Sequence, residues 1–499
     1  MSSIPQTSAS GPATPPPTGH PPGLYMLFFA EMWERFCFYG MRALLKLYMI
    51  QTVILASVEP GKREGTASLV YGSYLALVYG SAIVGGMVAD RILGARRAII
   101  TGGIIMAVGE FMLLIPTEQF FYMGLATVVV GNGMFKPNIS AIVGKLYQDG
   151  DPRRDGGFTI FYMGINLGAF LSPLICGWVG ETYGHRYGFA LAGLGMLLGI
   201  GTFWRGLHVL GEHGLPPAGR THPARDLWTV VGGAIVCVPI GTLLLQQDRL
   251  LAIAMTGAFV FLLFHLLRIG FRGDAIQRDR MIALAALLLI NVAFWACFEQ
   301  AGNSFTSYTK TNVDRGLLGW QVPVSWFQSF NAIFIIALAP VFALMWTRLA
   351  KSDRNPQAPA KFALGVIGVA LGLGLLVLGT KMSPGAGLVS MWFMVGCYFV
   401  HTVAELCISP VGLSWMTKLA PKDSSGLVLG AWFLSTGVGN YISGWISELT
   451  GEVGATEDRV KSLEIYTTVF GQVFWIVTVF GVLLLFAAPM LNRRIHGIK

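Results

Sequence analysis

Glu31-Met-Trp-Glu34-Arg35-Phe-Cys-Phe-Tyr39-Gly-Met-Arg42 lies inside an apolar run from Leu24 to about Leu55. Such a run is long enough to cross a bilayer, which takes roughly 20 apolar residues, yet the quoted stretch carries two acids and two bases. At 100° per residue Glu31, Glu34, Arg35, Phe38 and Arg42 fall on one helix face, within about 60° of Glu31. From Glu31 to Arg42 is about 16 Å, roughly half the hydrocarbon thickness. A charge at the bilayer centre costs about 2.5–3.5 kcal/mol on insertion scales, so this stripe faces protein or a water-filled cavity. Two readings follow: an ion-pair cluster that holds helices together, or a substrate or proton path.

The rest of the chain sets the scale. Of its 499 residues 54% are hydrophobic and 12% charged, about half the charge of a soluble domain. This is the composition of an all-α polytopic membrane protein with no large soluble domain. The net charge of +9 is read as cytoplasmic loops, with no nucleic acid as partner. Six cysteines, Cys37, Cys176, Cys237, Cys297, Cys397 and Cys407, sit in apolar runs without CxxC spacing and read as small packing residues, with neither disulfides nor a metal site. Residues 1–23, rich in Pro, Ser, Thr and Gly, read as a disordered cytoplasmic tail. They lack the basic-then-apolar pattern of a signal peptide, so the first helix is expected to direct targeting.

Apolar length predicts fourteen transmembrane helices near 24–55, 68–89, 97–115, 119–142, 157–179, 187–207, 227–246, 250–270, 280–309, 322–347, 361–380, 387–416, 425–449 and 465–491. An even count places both termini on one side. Of the 35 Lys and Arg, nine (Lys62, Arg63, Arg186, Arg249, Lys310, Arg315, Lys381, Arg459 and Lys461) fall between helices on the opposite side, four (Arg35, Arg42, Lys46 and Lys136) fall within helices, and the rest share the side of the termini. The positive-inside bias therefore predicts cytoplasmic termini.

Between the second and third helices stands Gly85-Gly86-Met-Val-Ala-Asp90-Arg91-Ile-Leu-Gly94-Ala-Arg96-Arg97. A tight, basic inner turn after close-packing glycines accounts for it physically. It also resembles the loop 2–3 signature of the major facilitator superfamily. That resemblance implies two six-helix bundles around one cavity: a first bundle over 24–207, a linker with two inserted helices over 208–279, a second bundle over 280–491, and a cytoplasmic tail over 492–499. Arg348-Leu-Ala-Lys351-Ser-Asp353-Arg354 is a weak second copy of the signature.

Three further segments carry polar residues into apolar helices. Helix 3 has Glu110, which its neighbours place in no motif. Helix 4 has Gly131-Asn132-Gly133-Met-Phe-Lys136-Pro137-Asn138, a lysine far from either helix end beside a kinking proline. Helix 5 has Phe161-Tyr162-Met-Gly164-Ile-Asn166-Leu-Gly168, where polar and small residues at helical spacing are ordinary interhelical glue. Together with the first stripe, these resemble the proton-dependent oligopeptide transporter family. The second half agrees through Trp295-Ala-Cys-Phe-Glu299-Gln300, Gln328-Ser-Phe-Asn331, Glu405 and Trp432-Phe-Leu-Ser435. The resemblance implies a bacterial inner-membrane symporter of di- and tripeptides with protons, working as a monomer and needing no cofactor.

The charge layout fits that substrate. A short peptide is a zwitterion with termini about 5–10 Å apart. Arg35, Arg42 and Lys136 lie in the first half, Glu299 and Glu405 in the second. A cavity between the bundles is then polarised, with carboxylate toward Lys136 and Arg42 and ammonium toward Glu405, helped by Asn166 and Asn331. Tyr39, Tyr74, Tyr79, Trp295 and Trp432 supply side-chain pockets, and Ser435 enters through its motif. Where several family members have a histidine on helix 2 this chain has Gly72, and Phe38 replaces a tyrosine. The proton is therefore assigned to Glu31 or Glu34, with Glu299 second, since a carboxylate in a dry site takes up a proton more readily. Protonation frees Arg35 and Lys136 for the peptide carboxylate, and Arg42 paired with Glu299 is expected to latch the outer mouth. Competing readings are a major-facilitator carrier of nitrate, another small anion or drugs, and a nutrient sensor without flux. An enzyme is not expected: His401 and Glu405 do not make His-Glu-x-x-His, and no Gly-x-Ser-x-Gly elbow is present.

Overall fold

The computed structural model describes residues 19–148, 151–220, 222–383, 385, 387–421, 424–456 and 458–496. Residues 1–18 and 497–499 of the two expected tails lie outside them. The helices are α1 Pro22–Gln51, α2 Arg63–Val88, α3 Ala95–Met112, α4 Glu118–Lys145, α5 Arg154–Tyr183, α6 His185–Arg205, α7 Pro223–Gln246, α8 Asp248–Arg272, α9 Ala275–Asn312, α10 Ser325–Lys351, α11 Ala358–Lys381, α12 Met391–Leu419, α13 Ser425–Glu448 and α14 Arg459–Arg494. Their ends follow local chemistry. Pro22, Pro223 and Pro359 stand in first turns, where a missing N–H costs nothing. Asp274 caps α9 through the Gln277 N–H at 2.7 Å, and Asp458 caps α14 through the Val460 N–H at 2.8 Å.

Ten of these helices are long and apolar enough to cross a membrane on their own composition. The other four, α1, α3, α4 and α13, bury polar residues such as Glu34, Glu110, Asn132 and Asn440. Those groups are tolerable in a membrane because neighbouring helices, not lipid, surround them.

In the first bundle α1 packs on α5 and α6, and α4 on α2 and α3. Glycine makes one of these approaches possible: a Cβ at Gly85 of α2 would lie 1.8 Å from the Gly133 carbonyl oxygen of α4. In the second bundle α11 packs on α12 and α14, and α9 on α13. The bundles meet along α2 with α13 and α5 with α10. At the second junction the Glu181 carboxylate of α5 accepts from the Val324 and Ser325 N–H groups at 2.9 and 2.8 Å, where α10 begins. Of the inserted pair, α7 leans on α4, and α8 on α9 and α13. Outward residues such as Trp228, Ile253 and Phe261 are about two-thirds or more exposed, the signature of faces turned to lipid.

Two helices depart from the sequence expectation in ways that matter. The charged run 62–64 reads as loop, yet α2 begins at Arg63 and buries Glu64. The stretch 280–309 reads as one helix, yet α9 breaks at Glu299–Gly302 into a 3-10 turn, with Asn303 non-helical before Ser304–Asn312 resumes. Across the cytoplasm-assigned turn, Arg96 donates to the His213 carbonyl at 2.6 Å and Arg220 to the Arg91 carbonyl at 2.8 Å. The chain between the bundles is thereby pinned to the α2–α3 turn.

Candidate functional site

The α1 stripe folds into one buried cluster. Arg35 Nε lies 3.2 Å from Glu31 Oε1, one turn back, and donates to Glu34 Oε2. Asn132 of α4 donates to Glu34 Oε1 at 2.9 Å. Both Glu34 oxygens are therefore engaged, whereas Glu31 Oε2 and Arg35 Nη2 are buried without a partner among the described residues. All three side chains are at most 3% exposed. The Arg35 guanidinium also stands 5.3 Å from the Phe38 ring, where a tyrosine would have added a hydroxyl.

Two turns further, Arg42 leaves the first bundle. It pairs with Glu299 of α9 and donates to the Tyr71 hydroxyl of α2 at 2.5 Å, with the Tyr39 and Tyr71 rings alongside. The break in α9 turns Glu299 toward it. This ion pair spans the two bundles and roofs a cavity lined from the first bundle by Tyr39, Arg42 and Tyr79. The second bundle supplies Trp295, Phe298, Glu299, Ala301, Gln328, Asn331, Tyr398, His401 and Glu405. The cavity volume is about 70 Å3, room for a few waters.

On the second-bundle wall Asn331 of α10 donates to Glu405 Oε2 at 2.9 Å and to Thr402 Oγ1 at 3.1 Å, both on α12. The acid is thus held by neutral groups, and among the described residues it makes no ion pair. His401, one turn from Glu405, is turned instead to the Val369 carbonyl at 3.0 Å and stacks on Phe298. Trp295 donates its indole N–H to Asn291 Oδ1 at 3.0 Å, and Asn291 donates to Ser435 Oγ at 2.9 Å and Thr436 Oγ1 at 3.1 Å.

Several expected residues sit elsewhere. Tyr74 is fully buried in the first bundle, stacked on Phe38, with its hydroxyl unpartnered. Tyr71, about 60° away on the same helix, takes the place at Arg42. Asn166 is buried and donates back to the Tyr162 carbonyl of its own helix at 2.9 Å. Trp432 packs on Phe362 and over Gly412. Ser435 donates to the Trp432 carbonyl at 2.7 Å and reaches the cavity only through Asn291 and Trp295. Lys136 is half-buried with its ammonium 4.5 Å over the Tyr79 ring, so it borders the cavity through Tyr79. Among the described residues Lys136 makes no ion pair with Glu31 or Glu34. Glu110 lies in the first bundle's core, accepting only from Cys37 Sγ at 3.5 Å.

Tyr71, Asn291 and Tyr398 are the site residues that sequence reasoning passes over. Helical phase does not separate Tyr71 from Tyr74, and Asn291 lies one turn before Trp295 in an otherwise apolar run.

The chain is similar in sequence and fold to known transporters. A family model described as the POT family matches residues 96–468. The peptide transporter YePEPT of Yersinia enterocolitica subsp. palearctica is 36% identical over 467 residues, covering 88% of this chain and 90% of that one. Dipeptide and tripeptide permease B of Xenorhabdus bovienii is 33% identical over 479 residues, covering 95% and 96%. The crystal structure of a peptide transporter POT in complex with sulfate superposes with a TM-score of 0.82 at 37% identity, covering 96% of each chain.

Proposed function

The chain belongs to the POT family, and on that footing we propose that it is a secondary active transporter importing di- and tripeptides in symport with protons by alternating access. The observation that carries the reading is the polarity of the central cavity. One wall offers cations, Arg42 and, through Tyr79, Lys136. The other offers Glu405 held by the neutral Asn331. That is the pattern a zwitterion needs, carboxylate to one bundle and ammonium to the other. The aromatic lining from Tyr39, Trp295, Phe298 and Tyr398 tolerates varied side chains.

The proton path starts at α1. Glu31 has a free oxygen beside Arg35, while Glu34 has none. Glu31 therefore takes the proton, and Glu34 orients Arg35. Once Glu31 is neutral, Arg35 has lost one of its two acids and its free Nη2 can turn toward a peptide carboxylate. The Arg42–Glu299 pair is the outer latch. A proton on Glu299, or a peptide carboxylate at Arg42, removes its Coulomb attraction and shifts the outward–inward equilibrium. With the termini cytoplasmic, as the charge bias implies, the Arg42–Glu299 pair lies toward the outer side of the membrane. The transporter works as a monomer in a bacterial inner membrane. The proton gradient is the energy source, with no cofactor.

The test is accumulation of a labelled dipeptide in proteoliposomes under an imposed proton gradient. Uptake collapsed by a protonophore and competed by dialanine is expected. Equal uptake without a gradient, or competition by nitrate or cationic dyes but not by dialanine, would reject the assignment.

A further inference from the structure

Lys46 is a helix-buried cation to which the transport scheme gives no work. It lies one turn beyond Arg42 on α1 and is 1% exposed. Its ammonium is 3.1 Å from Glu64 Oε1 and donates to Ser68 Oγ at 2.9 Å, Asn303 Oδ1 at 3.0 Å and Ser447 Oγ at 3.2 Å. Glu64 in turn accepts from the Ser307 hydroxyl. Ser68 and Ser447 share a hydrogen bond at 3.0 Å, and Asn303 donates to the Ser68 carbonyl at 3.2 Å. Lys46, Glu64 and Ser68 belong to the first bundle; Asn303, Ser307 and Ser447 belong to the second. All six side chains are at least nine-tenths buried.

The ownership of the charges is what matters. In the Arg42–Glu299 latch each bundle holds one charge, so parting the bundles separates opposite charges. In the Lys46 network both charges stay on the first bundle, and only neutral hydroxyl and amide partners leave. Burying a charge pair is costly unless its remaining donors and acceptors are satisfied, and here the second bundle supplies that satisfaction only when the mouth is shut. Water can replace neutral partners when the mouth opens; no charge has to find a new counter-ion.

We propose that Lys46 and Glu64 form a second outer latch that sets the resting balance between outward and inward states, separate from the coupling latch at Arg42 and Glu299. The proposal rests on the alternating-access reading above but not on the identity of the substrate. It makes Asn303, Ser307 and Ser447 positioning residues for the closed state.

The experiment measures bundle separation directly in the full-length protein without substrate. Spin labels are placed at Ser57→Cys, in the α1–α2 loop, and Leu318→Cys, in the α9–α10 loop, with the exposed Cys237 replaced by serine. The Ser307→Ala/Ser447→Ala variant is expected to raise the ratio of long to short distances about tenfold, the worth of losing hydrogen bonds to charged groups. Lys46→Met is expected to do the same, and combining the changes should add little, because both remove one contact set. Unchanged distances in the serine variant, or fully additive shifts in the combination, would overturn the latch. If Lys46→Met does not fold, the serine variant, which keeps the ion pair intact, decides the matter. A distance shift in a protein that carries no dipeptide would count against the peptide assignment while upholding the latch.

Discussion

The two bundles handle buried charge in opposite ways. In the first, charges are dense and answered locally: Arg35 by Glu31 and Glu34, Lys46 by Glu64. In the second, acids are sparse and are answered by neutral groups or by the other bundle: Glu405 by Asn331, Glu299 by Arg42. A pair kept within one bundle survives rocking of the bundles; a pair that spans them does not. The contrast teaches where work is done. On the proposed function, the cross-bundle pair and Glu405 are the elements that change energy when the bundles move or a zwitterion arrives. The internal pairs set which protonation and closure states are available.

This contrast can be broken at five places. The largest effect is expected at Glu31, whose free oxygen is the proposed proton site: Glu31→Gln should abolish gradient-driven accumulation while leaving dipeptide counterflow, and undiminished accumulation would remove Glu31 from the path. Next is the cationic wall. Lys136→Ala should weaken dipeptide binding on the order of 100-fold, the usual scale for truncating one side of a buried charged hydrogen bond; wild-type affinity by calorimetry would show that the carboxylate docks elsewhere. On the acidic wall Glu405→Gln should cost about tenfold for a free dipeptide and much less for its N-acetylated form, whereas equal losses for both ligands would deny Glu405 the ammonium.

The remaining two are smaller and structural. A Cβ at Gly72 of α2 would meet the Asn440 carbonyl oxygen and Gly444 Cα of α13 at 2.8 Å. Gly72→Ala should therefore push the bundles apart at that junction and cost about 1–3 kcal/mol of the closed state, read as increased labelling of a cysteine at Ser68; unchanged labelling would mean the junction yields elsewhere. Least of all, Tyr74→Phe removes a buried hydroxyl with no partner among the described residues. It should leave uptake unaltered and thermal stability equal or slightly higher, and a clear loss of transport would return Tyr74 to the site.

How much of this was legible in the sequence varies with the kind of signal. The fourteen apolar runs were readable because bilayer thickness imposes a length on each. Glu31, Glu34, Arg35, Arg42, Glu299 and Glu405 stood out because charge in an apolar run is costly and so is rarely idle. Lys46 stood out by the same rule, but its partner did not: Glu64 follows Lys62 and Arg63 and reads as part of a polar loop, and only the extension of α2 brings it under Lys46. The choice of Tyr71 over Tyr74 at Arg42 was beyond periodicity, since both lie on neighbouring faces of one helix. The same holds for Asn291, whose role depends on meeting Ser435 and Thr436 of α13.

Sequence alone determined that this chain is a membrane-embedded bundle of fourteen helices carrying ionic groups it must shelter, because hydrophobic length and the cost of buried charge are properties of a segment by itself. Which acid answers which base, which pair bridges the bundles and which stays within one, was decided by tertiary packing. Pairing depends on distances of a few ångströms between helices that are far apart in the chain, and the Coulomb and hydrogen-bond energies that select one partner over another exist only once those helices have met.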